Sequence, residues 1–139
     1  MAPRPRVSVI VPTRGLGRRA ALVRRALESV LSQQGVETIP IVVINGPDRD
    51  PGLVADLRRD SRLRLLDVAD AGIPDALKAG REAIDTPWFS ALDDDDLYLP
   101  GALLSRIRAL ESRPGYGAVV TNGLVRNHGT ERLHVPDMA

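Results

Sequence analysis

Short apolar runs rich in β-branched residues alternate with segments of helical periodicity, and that alternation limits the fold more than any other feature. Val7-Ser-Val-Ile-Val11, closed by Pro12, reads as a buried parallel strand. From Arg18 to Gln34, apolar residues recur at Val23, Leu27, Val30 and Leu31, which is helical spacing, and Gly35 stands where a C-terminal cap belongs. Ile39-Pro-Ile-Val-Val-Ile44 gives a second strand, ended by Asn45-Gly46-Pro47. Asp50-Pro51 opens a helix carrying Leu53, Val54 and Leu57. Leu63 to Val68 makes a third strand, and Ile73 to Ile84 a further helical stripe. Trp88 to Leu92 is a fourth strand that runs into Asp93-Asp94-Asp95-Asp96. Pro100 suits the first turn of a helix with Leu103, Leu104, Ile107 and Leu110 on its apolar side. Ala118 to Val120 is expected as a fifth strand, and Asn127-His128-Gly129 as a hairpin turn or part of a loose tail.

This order implies an α/β domain with a mainly parallel sheet and right-handed crossovers. In such sheets ligands bind beyond the carboxyl ends of the strands. The loops at Pro12-Thr13, Asn45-Gly46 and Asp93 to Asp96 all follow strands and should converge on one sheet edge. The expected division is an N-terminal tail over residues 1–6, an α/β domain over 7–121, and a weakly patterned tail or hairpin over 122–139.

Composition narrows the function classes. The net charge is +1, from 19 basic and 18 acidic residues, which argues against a nucleic-acid binder. Arg14, Arg18, Arg19, Arg24 and Arg25 nevertheless crowd the N-terminal part. They read either as a solvated helix face or as contacts to diphosphate or anionic lipid. The absence of cysteine excludes disulfides, thiolate zinc sites and cysteine nucleophiles. No apolar run approaches the ~20 residues of a transmembrane segment. Val7 to Val11 is too short for a signal-peptide core, so a cytoplasmic location is the default expectation, with peripheral membrane association as its variant.

Four consecutive carboxylates repel one another unless something positive sits among them. A hard cation such as Mn²⁺ or Mg²⁺ takes oxygen ligands, commonly one or two carboxylates plus substrate phosphates. In an extended segment Asp93 and Asp95 would point one way and Asp94 and Asp96 the other. The plain alternative is a solvated acidic turn before the Pro100 helix.

Three segments taken together resemble family 2 glycosyltransferases. Val7-Ser-Val-Ile-Val-Pro-Thr13 is similar to the family's opening strand. The stretch from Asp70 through Gly72-Ile-Pro-Asp-Ala-Leu-Lys-Ala-Gly80 is similar to its Gly-Ile-x-Asp-Ala-hydrophobic-x-x-Gly segment. Trp88-Phe-Ser-Ala-Leu-Asp-Asp-Asp-Asp-Leu-Tyr-Leu-Pro100 resembles its Asp-x-Asp strand end with the downstream proline. The segments keep the family's order and spacing over about residues 7 to 121.

The resemblance implies a GT-A-like, Rossmann-type three-layer α/β sandwich, truncated relative to the whole enzyme. It implies metal-dependent transfer of a sugar from a nucleotide diphosphate sugar, UDP-sugar first, to an unknown acceptor with inversion. Pro12, Thr13 and Arg14 match the loop that lines the nucleotide. Ile44-Asn45 stands where the family has an aspartate pair that reads the base, and the Asn45 amide oxygen is left to accept from a base N–H. Asp75 and Lys78 fall where the family's helix start approaches the sugar nucleotide. Asp93 and Asp94 lie near the ribose and sugar, and Asp95 with Asp96 would hold Mn²⁺ or Mg²⁺. The family's catalytic base lies well beyond this segment. The late carboxylates Glu131 and Asp137 and the histidines His128 and His134 lack a pattern that would assign it.

Two other functions compete. A sugar-nucleotide pyrophosphorylase or other nucleotidyltransferase would want a Gly-rich loop after the first strand with Arg and Lys, and Thr13-Arg-Gly-Leu-Gly-Arg-Arg19 lacks the lysine. A degenerate nucleotide-binding module, assembled as a homo-oligomer, would show an exposed sheet edge or apolar patch.

Overall fold

The computed structural model describes residues 3–137. The expectations for residues 1, 2, 138 and 139 lie outside these described residues. Two compact units divide between Leu104 and Ser105.

The first unit holds a four-stranded parallel sheet. Its strands are β1 (Arg6–Thr13), β2 (Glu37–Asn45), β3 (Arg64–Val68) and β4 (Trp88–Ala91), in the order β3-β2-β1-β4. The connections are α1 (Ala20–Leu31), α2 (Pro51–Arg59) and α3 (Ile73–Glu82). From β1 to β3 the chain steps one way across the sheet; from β3 it returns past β1 to β4. Right-handed crossovers therefore put α1 and α2 on one face and α3 on the other, which makes three layers. The mainly parallel α/β sandwich expected from the alternation is present.

The pleat sorts the core. Ile10 lies beside Ile41 in the ladder, and both pack with Val43 and Ala76 under α3. The opposite parity, including the fully buried Val9, Val11, Val42 and Ile44, faces the α1 side, where Val23, Ala26, Leu27 and Val30 are buried. Between their polar ends, Arg6 and Thr13 in β1 and Glu37 and Asn45 in β2, both strands are almost wholly apolar because both faces are covered.

Local chemistry sets the element ends. At α2, the Asp50 carboxylate accepts from the Leu53 N–H at 2.8 Å and Pro51 occupies the first turn, the start that Asp50-Pro51 suggested. The helix expected from Arg18 begins instead as a 3-10 turn, Gly17–Arg19, whose Arg19 N–H bonds the Leu16 carbonyl at 2.9 Å. It stops at Leu31, not Gln34, and the buried Gln33 side chain ties its end, donating to the Ser29 carbonyl at 3.2 Å, to residues 99–103. There it donates to the Leu99 carbonyl at 3.0 Å and accepts from the Leu103 N–H at 3.1 Å. Gly35 has a left-handed φ of 77°, but it lies past Ser32, which caps the helix. A Cβ at Gly35 would also come within 2.6 Å of a Leu104 methyl.

Gly80 is a close-approach position. A Cβ there would fall 2.5 Å from Ile10 Cγ2, so α3 lies on β1 at a distance only glycine permits. Gly80→Ala should destabilise the chain by about 1–3 kcal/mol in urea denaturation. The double variant with Ile10→Ala should lose less than the two single losses added together, because the second change opens the space. Stability equal to the wild type in the single variant would overturn this packing assignment.

The second unit contains an antiparallel hairpin of β5 (Leu124–Asn127) and β6 (Thr130–Leu133). His128 (φ 47°) and Gly129 (φ 82°) form its two-residue turn, the conformation that suits a right-twisted hairpin. The hairpin alternative around Asn127 to Gly129 is thus the one realised. Ala118 to Val120 is not a strand; the run is short, unpaired in the sheets, and Val120 is 81% exposed. The fourth helix, α4, spans Ala102–Glu111.

Candidate functional site

The strand order reverses at β1, between β2 on one side and β4 on the other. That is the switch point at which open α/β sheets leave a crevice beyond their carboxyl ends. Two of the singled-out segments meet there: Thr13 ends β1, and Asp93 to Asp96 follow the last residue of β4.

The aspartate run is held at both sides. Upstream, the Leu92 N–H continues the ladder to the Ile10 carbonyl at 2.9 Å. Downstream, the buried Tyr98 hydroxyl meets Ser90 Oγ at 2.6 Å and donates to the Ala91 carbonyl at 3.2 Å, while its N–H donates to Ser29 Oγ at 3.1 Å. Between these anchors the Asp96 N–H closes a turn on the Asp93 carbonyl at 3.1 Å. The turn breaks the alternation expected of an extended segment, so Asp94 and Asp95 share one partner instead of pointing apart.

That partner is Arg19. Its Nη2 donates to Asp94 Oδ1 and lies 3.1 Å from Asp95 Oδ2. Asp94 is buried, and its other oxygen accepts from Thr13 Oγ1 at 2.7 Å. The Thr13 hydroxyl oxygen in turn accepts from the Gly15 N–H at 3.1 Å. The hydrogen bond to Asp94, helped by that to Asp95, raises Arg19 above its already high ordinary value, so it stays charged at any accessible pH. The Asp95 side chain is 49% exposed, and its only partner among the described residues is this guanidinium.

Arg19 is the residue that sequence reasoning missed as a site member. It was one of five arginines with the same local pattern, and nothing in spacing separates it from Arg18. The available signal was indirect: a buried carboxylate at a strand end requires a cation, and the β1–α1 loop is the nearest source of one.

Asn45 sits elsewhere in the network than expected. It is 3% exposed; its Nδ2 donates to the Thr13 carbonyl at 3.1 Å, and its Oδ1 accepts from the Gly72 N–H at 3.2 Å. The amide oxygen assigned to a base N–H is therefore engaged with the backbone, and the side chain ties the end of β1 to the start of α3. Pro12 is likewise buried in β1. Arg14 is exposed and pairs with Asp48 at 2.7 Å. Asp75 and Lys78 are exposed on α3. Asp93 and Asp96 are exposed at the turn. The structure thus joins Thr13 directly to Asp94, and Asp94 to Asp95 through Arg19, with Asn45 behind Thr13.

In the second unit, Glu131 pairs with Arg126 on the hairpin, its carboxylate accepting from Nε at 2.7 Å. His128, His134 and Asp137 are exposed. Among the described residues no three of His, Cys, Asp and Glu gather as a metal cage. No helix among them is long and apolar enough to cross a membrane. An open groove of about 460 Å³, lined by Arg49, Pro51, Val54, Ala55 and Arg58, includes none of these site residues. Its two arginines both pair with Asp67.

Two curated proteins are similar to this chain. A Bacillus subtilis (strain 168) protein described as "Uncharacterized glycosyltransferase EpsJ" is 27% identical over 135 residues, 95% of this chain and 38% of its own length. The "Succinoglycan biosynthesis protein ExoO" of Rhizobium meliloti (strain 1021) is 35% identical over 96 residues, 67% of this chain and 27% of its own length. The matched regions thus span little more than a third of one relative and about a quarter of the other. The family model for glycosyl transferase family 2 matches residues 8–138, taking in most of β1, the aspartate run and everything between them. On that match, together with the parallel sheet and the carboxylates at its switch point, the chain belongs to glycosyl transferase family 2.

Proposed function

We propose that this chain is the donor-binding part of a metal-dependent glycosyltransferase. It holds a nucleotide diphosphate sugar, UDP-sugar first, for transfer to an acceptor hydroxyl with inversion. What carries this reading is the position of Asp93 to Asp96, one residue past β4 and joined to the end of β1 by the Asp94–Thr13 hydrogen bond, at the point where the strand order reverses.

The residues divide by exposure. Buried Pro12, Thr13 and Asn45 form the rigid floor, and Arg14, at the head of the β1–α1 loop, is exposed for contact with the nucleotide. Asp93 is exposed for contact with ribose or sugar, with Asp94 behind it fixing the turn. Asp75 and Lys78 at the start of α3 are exposed, the lysine as a charge for phosphate.

The donor chemistry at Asp95 and Asp96 is that of a hard cation: carboxylate oxygens only, with half of the Asp95 side chain open. These two would hold Mn²⁺ or Mg²⁺, and a pair of carboxylates leaves the remaining positions to phosphate oxygens and water. Bound there, the ion would neutralise charge developing on the leaving diphosphate. The acceptor proton needs a separate base on the far side of the sugar, and no described carboxylate is assigned that task.

Calorimetric titration with UDP and GDP, each with and without Mn²⁺, tests the reading. UDP should bind at least about 10-fold more tightly with Mn²⁺ present. Absence of nucleoside diphosphate binding, or affinity indifferent to the metal, would overturn it. Preference for UTP over UDP would point instead to nucleotidyl transfer.

A further inference from the structure

Two carboxylates and one guanidinium leave the Asp94–Asp95–Arg19 group short of one positive charge. The three residues are not equivalent. Asp94 is anchored: its side chain is 10% exposed, and its oxygens are taken by Thr13 and Arg19. Asp95 is half open and has, among the described residues, one polar partner, at 3.1 Å, the same Nη2 that serves Asp94. Arg19 itself is 32% exposed. A guanidinium carries five N–H donors. Here only Nη2 is engaged by protein, and Nε and Nη1 have no partner among the described residues. Arg19 also stands at the junction of a 3-10 turn and α1, in a loop that contains a left-handed glycine, Gly15. A long side chain on such a junction can turn without moving the sheet.

We propose that Arg19 is a resident counter-cation that gates the aspartate run. In the donor-free protein it neutralises Asp94 and Asp95. When a divalent cation arrives with a nucleoside diphosphate, Arg19 keeps the buried Asp94, releases Asp95, and presents its unpaired Nε and Nη1 donors to the diphosphate. The inference rests on the proposed role of Asp95 as a metal carboxylate.

Charge gives the gate two opposite signs. Toward the metal alone, Arg19 is a competitor, because it occupies one of the Asp95 oxygens and repels a second cation. Toward the diphosphate and metal together it is an ally, since two carboxylates and a diphosphate carry more negative charge than a divalent ion cancels. A planar fork with open donors also suits phosphate oxygens. A residue that merely held the loop in place would not separate these two effects.

The test uses R19Q, R19K and D95N beside the wild type. Mn²⁺ alone is titrated by the loss of its free electron-spin resonance signal, and UDP is titrated by calorimetry at saturating Mn²⁺. R19Q should bind Mn²⁺ alone about 3- to 10-fold more tightly than the wild type, and UDP with Mn²⁺ about 3- to 10-fold more weakly. R19K keeps the charge and loses the fork. It should leave Mn²⁺ affinity within about twofold while weakening UDP about threefold. Unchanged or weaker Mn²⁺ binding by R19Q, or Mn²⁺ binding detectable in neither protein, overturns the proposal. If R19Q does not fold, R19K decides: UDP affinity equal to the wild type overturns it. D95N separates this outcome from failure of the underlying reading. If D95N binds Mn²⁺ as the wild type does, Asp95 is not the metal carboxylate; if D95N loses Mn²⁺ while R19Q gains nothing, only the gate fails.

Discussion

Asn45→Leu is expected to lower the unfolding free energy by about 3 kcal/mol, seen as a lower denaturant midpoint at unchanged slope. The side chain is 3% exposed and closes two contacts that nothing else in the site replaces. Its Nδ2 donates to the Thr13 carbonyl, and its Oδ1 accepts from the Gly72 N–H. Leucine fills a similar volume but takes the partner from the buried Thr13 carbonyl and the part-buried Gly72 N–H, at about 1–3 kcal/mol for each group, the second nearer the lower end. Asn45→Asp, which installs the carboxylate that the family carries in this region, should fall between. It keeps the acceptor for Gly72 at the start of α3, where the helix dipole favours negative charge by about 0.3–1 kcal/mol. Against that it loses the donor and sets a carboxylate oxygen against the Thr13 carbonyl at the 3.1 Å now spanned by a hydrogen bond. The lost donor outweighs the dipole, so about 1–2 kcal/mol should be lost. Leucine tolerated as well as asparagine would show that Asn45 does not fix the β1–α3 junction.

That result would bear on how the sequence encodes this site. β1 and β2 were legible as short β-branched runs ended by a breaker, β3 and β4 as short apolar runs between helical segments, and the parallel sheet followed from their alternation with helices. Pro51 marked a helix start for a reason that does not depend on tertiary context; Pro100 only precedes one, since Gly101, with a left-handed φ of 75°, separates it from α4 at Ala102. The carboxyl-edge location of the site followed from the same alternation, since each singled-out loop comes after a strand. Gly80 was visible as part of a segment, but the reason for glycine, the approach of α3 to Ile10, lies in packing between elements far apart in the chain. The partners of Asn45 were illegible for the same cause: residues 13, 45 and 72 meet only once the sheet has formed.

Within the aspartate run, residue type alone could not rank four identical carboxylates. Period-two alternation was the natural rule for a strand end, and it would have set Asp94 against Asp95. The Asp93–Asp96 turn replaces that period, and burial then distinguishes neighbours that the sequence makes equal. Arg19 shows the complement: five arginines share a local pattern, and only the fold says which one meets a buried carboxylate.

Substituting those two adjacent aspartates should therefore produce opposite phenotypes. Asp94→Ala is expected to act on the fold. It removes a carboxylate that joins the end of β1, through Thr13, to the β1–α1 loop, through Arg19. Hydrogen bonds to a charged group contribute about 1.5–3 kcal/mol, while Arg19, a third exposed, recovers part of its solvation in water. A net loss of about 2–3 kcal/mol in chemical denaturation follows, with a weaker UDP titration as a secondary effect. Asp95→Ala should act on the ligand. Its side chain is 49% exposed and its one ion pair is shared with a better-buried neighbour, so stability should change by less than about 0.5 kcal/mol. Affinity for UDP in the presence of Mn²⁺ should nonetheless fall by at least about 10- to 100-fold, and the residual affinity should no longer respond to the metal. Both variants are measured by the same pair of experiments, denaturation and calorimetry. The division would be wrong if Asp95→Ala unfolded the chain as readily as Asp94→Ala. It would be equally wrong if Asp95→Ala left the metal dependence of nucleotide binding intact.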